Sequence, residues 1–125
     1  MTSLERYEEI MDLEWFKDHL QKNLEPLLRS EIERFTALDH PVEELHHTLG
    51  QYLRNEWGFW GEEKTDLILW FNKIGIYHPD DMSSICIETY YRLRKNMPIE
   101  LGTQVQKYKD FWKSNGFTDG IYQNG

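Results

Sequence analysis

The chain has 125 residues, of which 39 % are hydrophobic and 14 % aromatic, with a net charge of −8. That length suits one ordinary domain around a single core, and the apolar content excludes a chain that is disordered throughout. A lone cysteine, Cys86, excludes an internal disulfide, and no apolar run approaches the roughly 20 residues that cross a bilayer.

Helical periodicity dominates and no strand-like alternation stands out, so the expected fold class is all-α. The expected architecture is one compact bundle of about five to seven helices over residues 1–116, with a loosely ordered tail, "FTDGIYQNG", at 117–125. At the start, "TSLE" has capping-box spacing, and Leu4, Tyr7 and Met11 fall on one face. Leu13, Phe16, Leu20 and Leu24 carry a second stripe that stops near Pro26; Leu28, Ile32 and Phe35 mark a further short helix. Whether these segments form one bent helix or several stays open at the level of sequence. The next helix is expected to begin at Pro41, because proline fits the first helical position, where its missing N–H costs nothing. Its apolar arc runs Val42, Leu45, Leu49, Tyr52, Leu53 and Trp57, until "WGFWGEE" interrupts it.

Leu67, Trp70, Phe71 and Ile74 form another stripe, closed by Gly75 with Ile76 folding back. From Pro79 to about Lys95 the apolar arc widens to include Met82, Ile85, Cys86, Thr89, Tyr90 and Leu93, as expected of the most buried helix. A last helix follows Pro98, carrying Val105, Tyr108, Phe111 and Trp112 and stopping at Gly116. The five tryptophans mostly sit on these stripes and read as core. Trp60, in a glycine-flanked turn, stands apart as a ligand platform or interface anchor.

The stretch "YHPDDMSS" (77–84) poses a choice between reaction machinery and a helix start. A second stretch, "DHPVEE", is built alike, with proline at the first helical position and an acid two residues on. Such an acid faces unpaired amides and the positive end of the helix dipole, which explains the motif without a reaction. Asp80 and Asp81 are adjacent, so on a helix they diverge by about 100° and cannot easily grip one ion; His46 and His47 diverge in the same way. Glu43 and His47 share a face but supply only two ligands. No metal and no cofactor are therefore expected. Nucleophile elbow, Walker loop, paired CxxC and HExxH motifs are all missing, and Cys86 on an apolar arc reads as inert packing.

Three stretches in combination, "LRNEWGFW" (53–60), "WFNKIGIYHPDDMSS" (70–84) and "YYRLR" (90–94), resemble a family of small domains, domain of unknown function 6794. The shared pattern is an apolar residue, Arg-Asn, an aromatic, Gly and Trp, and later His-Pro-Asp-Asp and a serine. The resemblance covers about residues 45–95 and leaves the first forty residues and the tail outside. It implies a fold unit and a bacterial or phage setting, and no reaction. It singles out Arg54, Asn55, His78, Asp80, Asp81 and Ser83. Arg54 is expected to pair with Asp80 or Asp81 through two parallel hydrogen bonds, and Asn55 to bond its own turn.

Residues 1–66 hold 16 acidic against 7 basic side chains, while the remainder holds 6 against 7. That acidic half argues against nucleic acid as partner, since a binder of phosphate carries a basic stripe. The leading functional expectation is a non-enzymatic module in the cytoplasm that binds a protein partner, a basic one by charge, with immunity or anti-defence roles in scope. The early acids, where a signal peptide would carry bases, support that compartment and speak against a membrane partner. The rival is a pocket of Arg54, His78, Asp80 and Asp81 near Trp60, holding a nucleotide-like ligand or acting as a hydrolase with His78 or an aspartate as base. Self-association through surplus tryptophan surface is the third reading.

Overall fold

The computed structural model describes residues 3–116, with side chains from residue 12 onward. The expected capping box at 2–5, the stripe of Leu4, Tyr7 and Met11, and the tail at 117–125 lie outside what it describes. The described residues form α-helices and turns without a strand: α1 (Ser3–Asn23), α2 (Glu25–Leu28), a 3-10 turn (Arg29–Glu31), α3 (Ile32–Thr36), α4 (Pro41–Leu45), α5 (Leu49–Glu56), α6 (Asp66–Lys73), α7 (Pro79–Arg94) and α8 (Leu101–Ser114). The all-α expectation holds. Five of these helices, α1, α5, α6, α7 and α8, run eight residues or longer, in keeping with the expected five to seven, and residues 25–36 are broken into the short α2, the 3-10 turn and α3. Only Phe35 is buried in that run, so little packing enforces a regular helix there.

The core is built around α7, which packs against α1, α3, α4, α5 and α8. Every residue from 81 to 87 is buried, and Tyr90 is fully so. This is the wide apolar arc of the sequence realised as a central helix. Helix α1 is one continuous helix whose Phe16 and Leu20, with Leu24 just past its end, recur every four residues and are fully buried. Phe16 stacks on Trp70 with ring centroids 4.2 Å apart and meets Phe71 edge-on at 5.6 Å. Trp70 Nε1 donates to the Asp12 carbonyl at 3.0 Å, and Lys73 pairs with the Asp12 carboxylate at 3.0 Å, so α6 is tied to α1 at both ring and rim.

Helix α6 starts at Thr65, whose hydroxyl accepts from the Ile68 amide at 3.2 Å. It stops as expected. Gly75 takes φ 88°, the Ile76 amide returns to the Phe71 carbonyl at 2.9 Å, and Ile76 is buried. The Lys109 side chain lies over Gly75, its Cε 2.4 Å from where a Cβ would stand, but that flexible end can move aside, so it is the positive φ of the turn that calls for glycine.

Two expectations fail. The helix expected from Pro41 through Trp57 is broken at residues 46–48, giving α4 and α5. Residues 46–48 form a turn with the Thr48 amide bonded to the Leu45 carbonyl at 3.2 Å, and the freed His46 carbonyl accepts from a side chain of α5. The tryptophans are not mostly core either. Trp70 is buried, while Trp57 and Trp112 are half-buried and Trp15 and Trp60 exposed. A period-3.6 stripe fixes which face a ring lies on and leaves open how far a neighbouring helix covers it.

Candidate functional site

Residues 77–84 do start a helix. His78 is extended (φ −87°, ψ 132°) and caps α7: its Nδ1 accepts from the Asp80 amide at 3.0 Å. A ring nitrogen that accepts carries no proton, so the ring's own N–H is on Nε2. Pro79 takes the first helical position, and the His78 carbonyl accepts from the Asp81 and Met82 amides at 3.0 and 3.1 Å. The parallel stretch at Pro41 behaves alike, with Glu44 rather than Glu43 reaching back to accept from the His40 amide at 3.0 Å.

Arg54 approaches this start from α5. Only 6 % of its surface is exposed. Nη1 donates to Ser83 Oγ at 2.9 Å, Nη2 donates to the His46 carbonyl at 2.9 Å, and Nε faces Asp80 Oδ1 at 3.5 Å. The Ser83 hydroxyl in turn donates to the Asp80 carbonyl at 3.0 Å. One guanidinium thus joins the turn at His46, its own helix and the first turn of α7. Gly50 makes room for it, since a Cβ there would lie 3.0 Å from Nη1 and 3.2 Å from the Leu45 carbonyl.

The expected bidentate pairing is not what forms. Asp80 makes a single contact with Arg54, and Asp81 is turned elsewhere, because consecutive helical side chains diverge. Asp81 is buried and accepts from Trp112 Nε1 at 2.8 Å. Burial holds its carboxyl above the usual carboxylate range and the nearby Asp80 charge adds to this, against the opposing pull of the Trp112 bond and of His78. Asn55 is exposed on another face of α5 and takes no part in the cluster.

Around the capped start lies a strip of rings. The His78 imidazole stacks on Trp112 (centroids 5.3 Å apart, interplanar angle 25°) and meets Trp60 edge-on at 5.8 Å. Phe111 continues the strip beside Trp112 at 5.1 Å. Its two ends are open to solvent, with Trp60 58 % and Phe111 52 % exposed. Of the sequence candidates, the structure therefore gathers Arg54, Asp80 and Ser83 into one polar knot, buried at Arg54 and Ser83, and places Trp60, His78 and Asp81 on its aromatic side. The roles of Trp112, Phe111, His46 and Gly50 carry no sequence signal, because α8 and the break after α4 reach the site only through tertiary packing.

Among the described residues, no group of three or more His, Cys, Asp or Glu is placed to hold a metal ion. The Cys86 thiol is fully buried, and burial alone drives its pKa far up, so it is inert as a nucleophile. No described helix is long and apolar enough to cross a membrane.

No curated protein and no solved structure matches the chain. One family does, and over more of the chain than the motifs alone imply: the match begins at residue 13, inside α1, and ends at residue 94, the last of α7. That extension corrects the expectation that the first forty residues lie outside, and the packing accounts for it, since Phe16 and Leu20 of α1 and Leu24 just after it belong to the core with α6 and α7. By this match, the chain belongs to the family described as domain of unknown function (DUF6794) over residues 13–94.

Proposed function

We propose that this protein is a non-enzymatic interaction module that docks a protein partner on the strip formed by Trp60, His78, Trp112 and Phe111. The observation that carries the reading is the exposure of Trp60 and Phe111 at the two ends of a strip whose middle is fixed by stacking and by the Asp81 bond. Aromatic rings held rigid and open to solvent lose little entropy on docking and anchor interfaces. Next to them in sequence stand the acids Glu62, Glu63, Asp80 and Asp110, and the chain carries a net charge of −8. The fitting partner presents an apolar anchor ringed by lysine or arginine. In the bacterial or phage setting that the family resemblance implies, blocking a basic surface in the manner of an immunity or anti-defence protein is the biological form of such binding.

The rival pocket finds less support. A phosphate-binding role for Arg54 needs a guanidinium open to solvent, and this one is buried, with Nη1 and Nη2 turned to Ser83 and His46 and Nε facing Asp80. The deciding experiment compares the parent chain with a Trp60→Ser/Phe111→Ser double variant in affinity capture at low salt, followed by titration of the recovered partner. The reading expects at least about a tenfold loss of affinity in the variant, and weaker binding of the parent as salt rises. A partner bound equally by both chains, or only self-association in sedimentation, contradicts it.

A further inference from the structure

A second concavity lies near the far end of α7, away from the aromatic strip. It has a volume of about 440 Å³, within the range of small-molecule sites. Residues of α7 (Glu88, Tyr91, Arg92) with Lys95 just past its end, and of α8 (Gln104, Lys107, Tyr108), form two sides of it, and residues 39–43 at the start of α4 form the third.

The lining is built. The Tyr91 hydroxyl donates to the Leu38 carbonyl and accepts from Lys95 Nζ at 2.9 Å, which fixes the ring and draws the lysine across its face. Arg92 is held by Glu88 at 2.6 Å and by the Pro98 carbonyl at 2.9 Å, with Glu100 at 3.6 Å, so its charge is balanced within the lining. Gln104 is 9 % exposed, and its Nε2 donates to the Ile99 carbonyl at 3.0 Å and to Thr89 Oγ1 at 3.3 Å. A carbonyl can only accept, so the amide cannot be the other way round, and its oxygen is the acceptor left for a ligand.

After these internal pairings, charges of both signs remain on different walls. Asp39 and Glu43 lie on the α4 side, while Lys107 on α8 and Lys95 at the end of α7 provide ammonium groups. Tyr91, Tyr108, Val42 and Met97 supply apolar surface between them. The geometry points to a binding site for a small zwitterion of amino-acid or dipeptide size, its ammonium towards Asp39, Glu43 and the Gln104 carbonyl, its carboxylate towards Lys95 and Lys107, and its apolar body against the tyrosines. Two opposed charges at separate walls select a ligand that carries both, and a singly charged molecule leaves one wall unmatched.

The test is a titration of the isotope-labelled protein, followed by amide NMR, with phenylalanine, with the dipeptide Ala-Phe, and with the same dipeptide capped as its N-acetyl amide. Saturable shifts centred on Tyr91, Lys95, Gln104 and Lys107 are expected with one or both uncapped ligands, and which of them saturates first decides between free amino acid and peptide. The capped form is expected to bind at least about tenfold more weakly, as are Lys107→Met and Glu43→Gln variants with the best uncapped ligand. Both positions are exposed, so the variants keep the fold, and an unchanged amide spectrum in the absence of ligand verifies this. The Trp60→Ser/Phe111→Ser variant is expected to bind like the parent, which separates this site from the docking strip. No saturable shifts up to about 10 mM, equal binding of the capped dipeptide, or shifts confined to another surface would each overturn the proposal.

Discussion

Arg54 Nη1 donates to Ser83 Oγ at 2.9 Å, joining α5 to the first turn of α7 across 29 positions of sequence. The serine passes the bond on to the Asp80 carbonyl, and the other guanidinium nitrogen caps the turn that divides α4 from α5. The residues that look most like reaction machinery are therefore spent on holding three segments together.

That arrangement makes the aspartates unequal partners of Arg54. Asp80 is 44 % exposed at its side chain, so its coupling to Arg54 in a double-mutant cycle with alanine is expected to be no more than about 1 kcal/mol. Arg54→Ala and Asp81→Ala are expected to be additive, since Asp81 bonds Trp112 instead. Arg54 and Ser83 form the most strongly coupled of these pairs, because both are buried. Chemical denaturation of the single and double variants measures all three couplings.

Gly50→Ala reverses the usual sign of helix propensity. In an open helix the change gains about 1 kcal/mol, but here the new methyl would stand 3.0 Å from Arg54 Nη1 and 3.2 Å from the Leu45 carbonyl. A net loss of about 1–2 kcal/mol is expected from overpacking against a backbone atom and a fixed guanidinium. Thermal or denaturant unfolding reads the sign directly.

Tyr90 is fully buried and its hydroxyl has no hydrogen-bond partner in the structure. Leaving a buried hydroxyl unmatched costs about 1–3 kcal/mol, so Tyr90→Phe is expected to stabilise the protein by about 1 kcal/mol. The ring contact with Phe35, at 5.8 Å between centroids, is kept in the variant. A loss of stability would show that the hydroxyl is satisfied.

Two groups, the buried Asp81 and the half-buried His19, tilt the pH dependence in opposite directions. The Asp81 pKa is raised on folding, so its contribution is full below the ordinary value of 3.8 and is lost as pH rises through the folded value. Asp81→Asn keeps an acceptor for Trp112 and is expected to be more stable than the parent at neutral pH, with the gain shrinking as pH falls. His19 stacks on Trp15 at 5.2 Å and meets Trp57 edge-on at 5.6 Å. Burial lowers its pKa, against the pull of Asp18 and Asp66, so its contribution is present above 6.5 and is lost as pH falls below that. His19→Gln is expected to flatten that decline. Denaturation midpoints measured from below pH 3.8 to above pH 6.5, the ordinary values of the two groups, separate the two effects.

Much of the fold was legible because helix ends carry local chemistry. Pro79 after His78 and Gly75 before Ile76 each fix a boundary through groups within a few residues, and both lie where the sequence places them. The break at residues 46–48 was not legible, since it depends on Arg54 reaching back to the His46 carbonyl after α7 has docked. The site was half legible for the same reason. His78 and Pro79 announce a capped helix and Arg54 a partner for it, but Trp112 reaches Asp81 from 31 positions away, and no spacing rule encodes that approach. The exposed tryptophans follow likewise, because a stripe names a face and only the assembled bundle decides what covers it.

The most direct measurement is chemical denaturation of Arg54→Lys beside the Trp60→Ser/Phe111→Ser variant. A lysine cannot reach Ser83, His46 and Asp80 from one planar group, so Arg54→Lys is expected to cost about 3 kcal/mol. The double variant, altered at the solvent-open ends of the strip, is expected to cost less than about 1 kcal/mol. A near-neutral Arg54→Lys, or a double variant that unfolds as easily as Arg54→Lys, would contradict the division between a buried polar knot that builds the fold and an aromatic strip left for a partner.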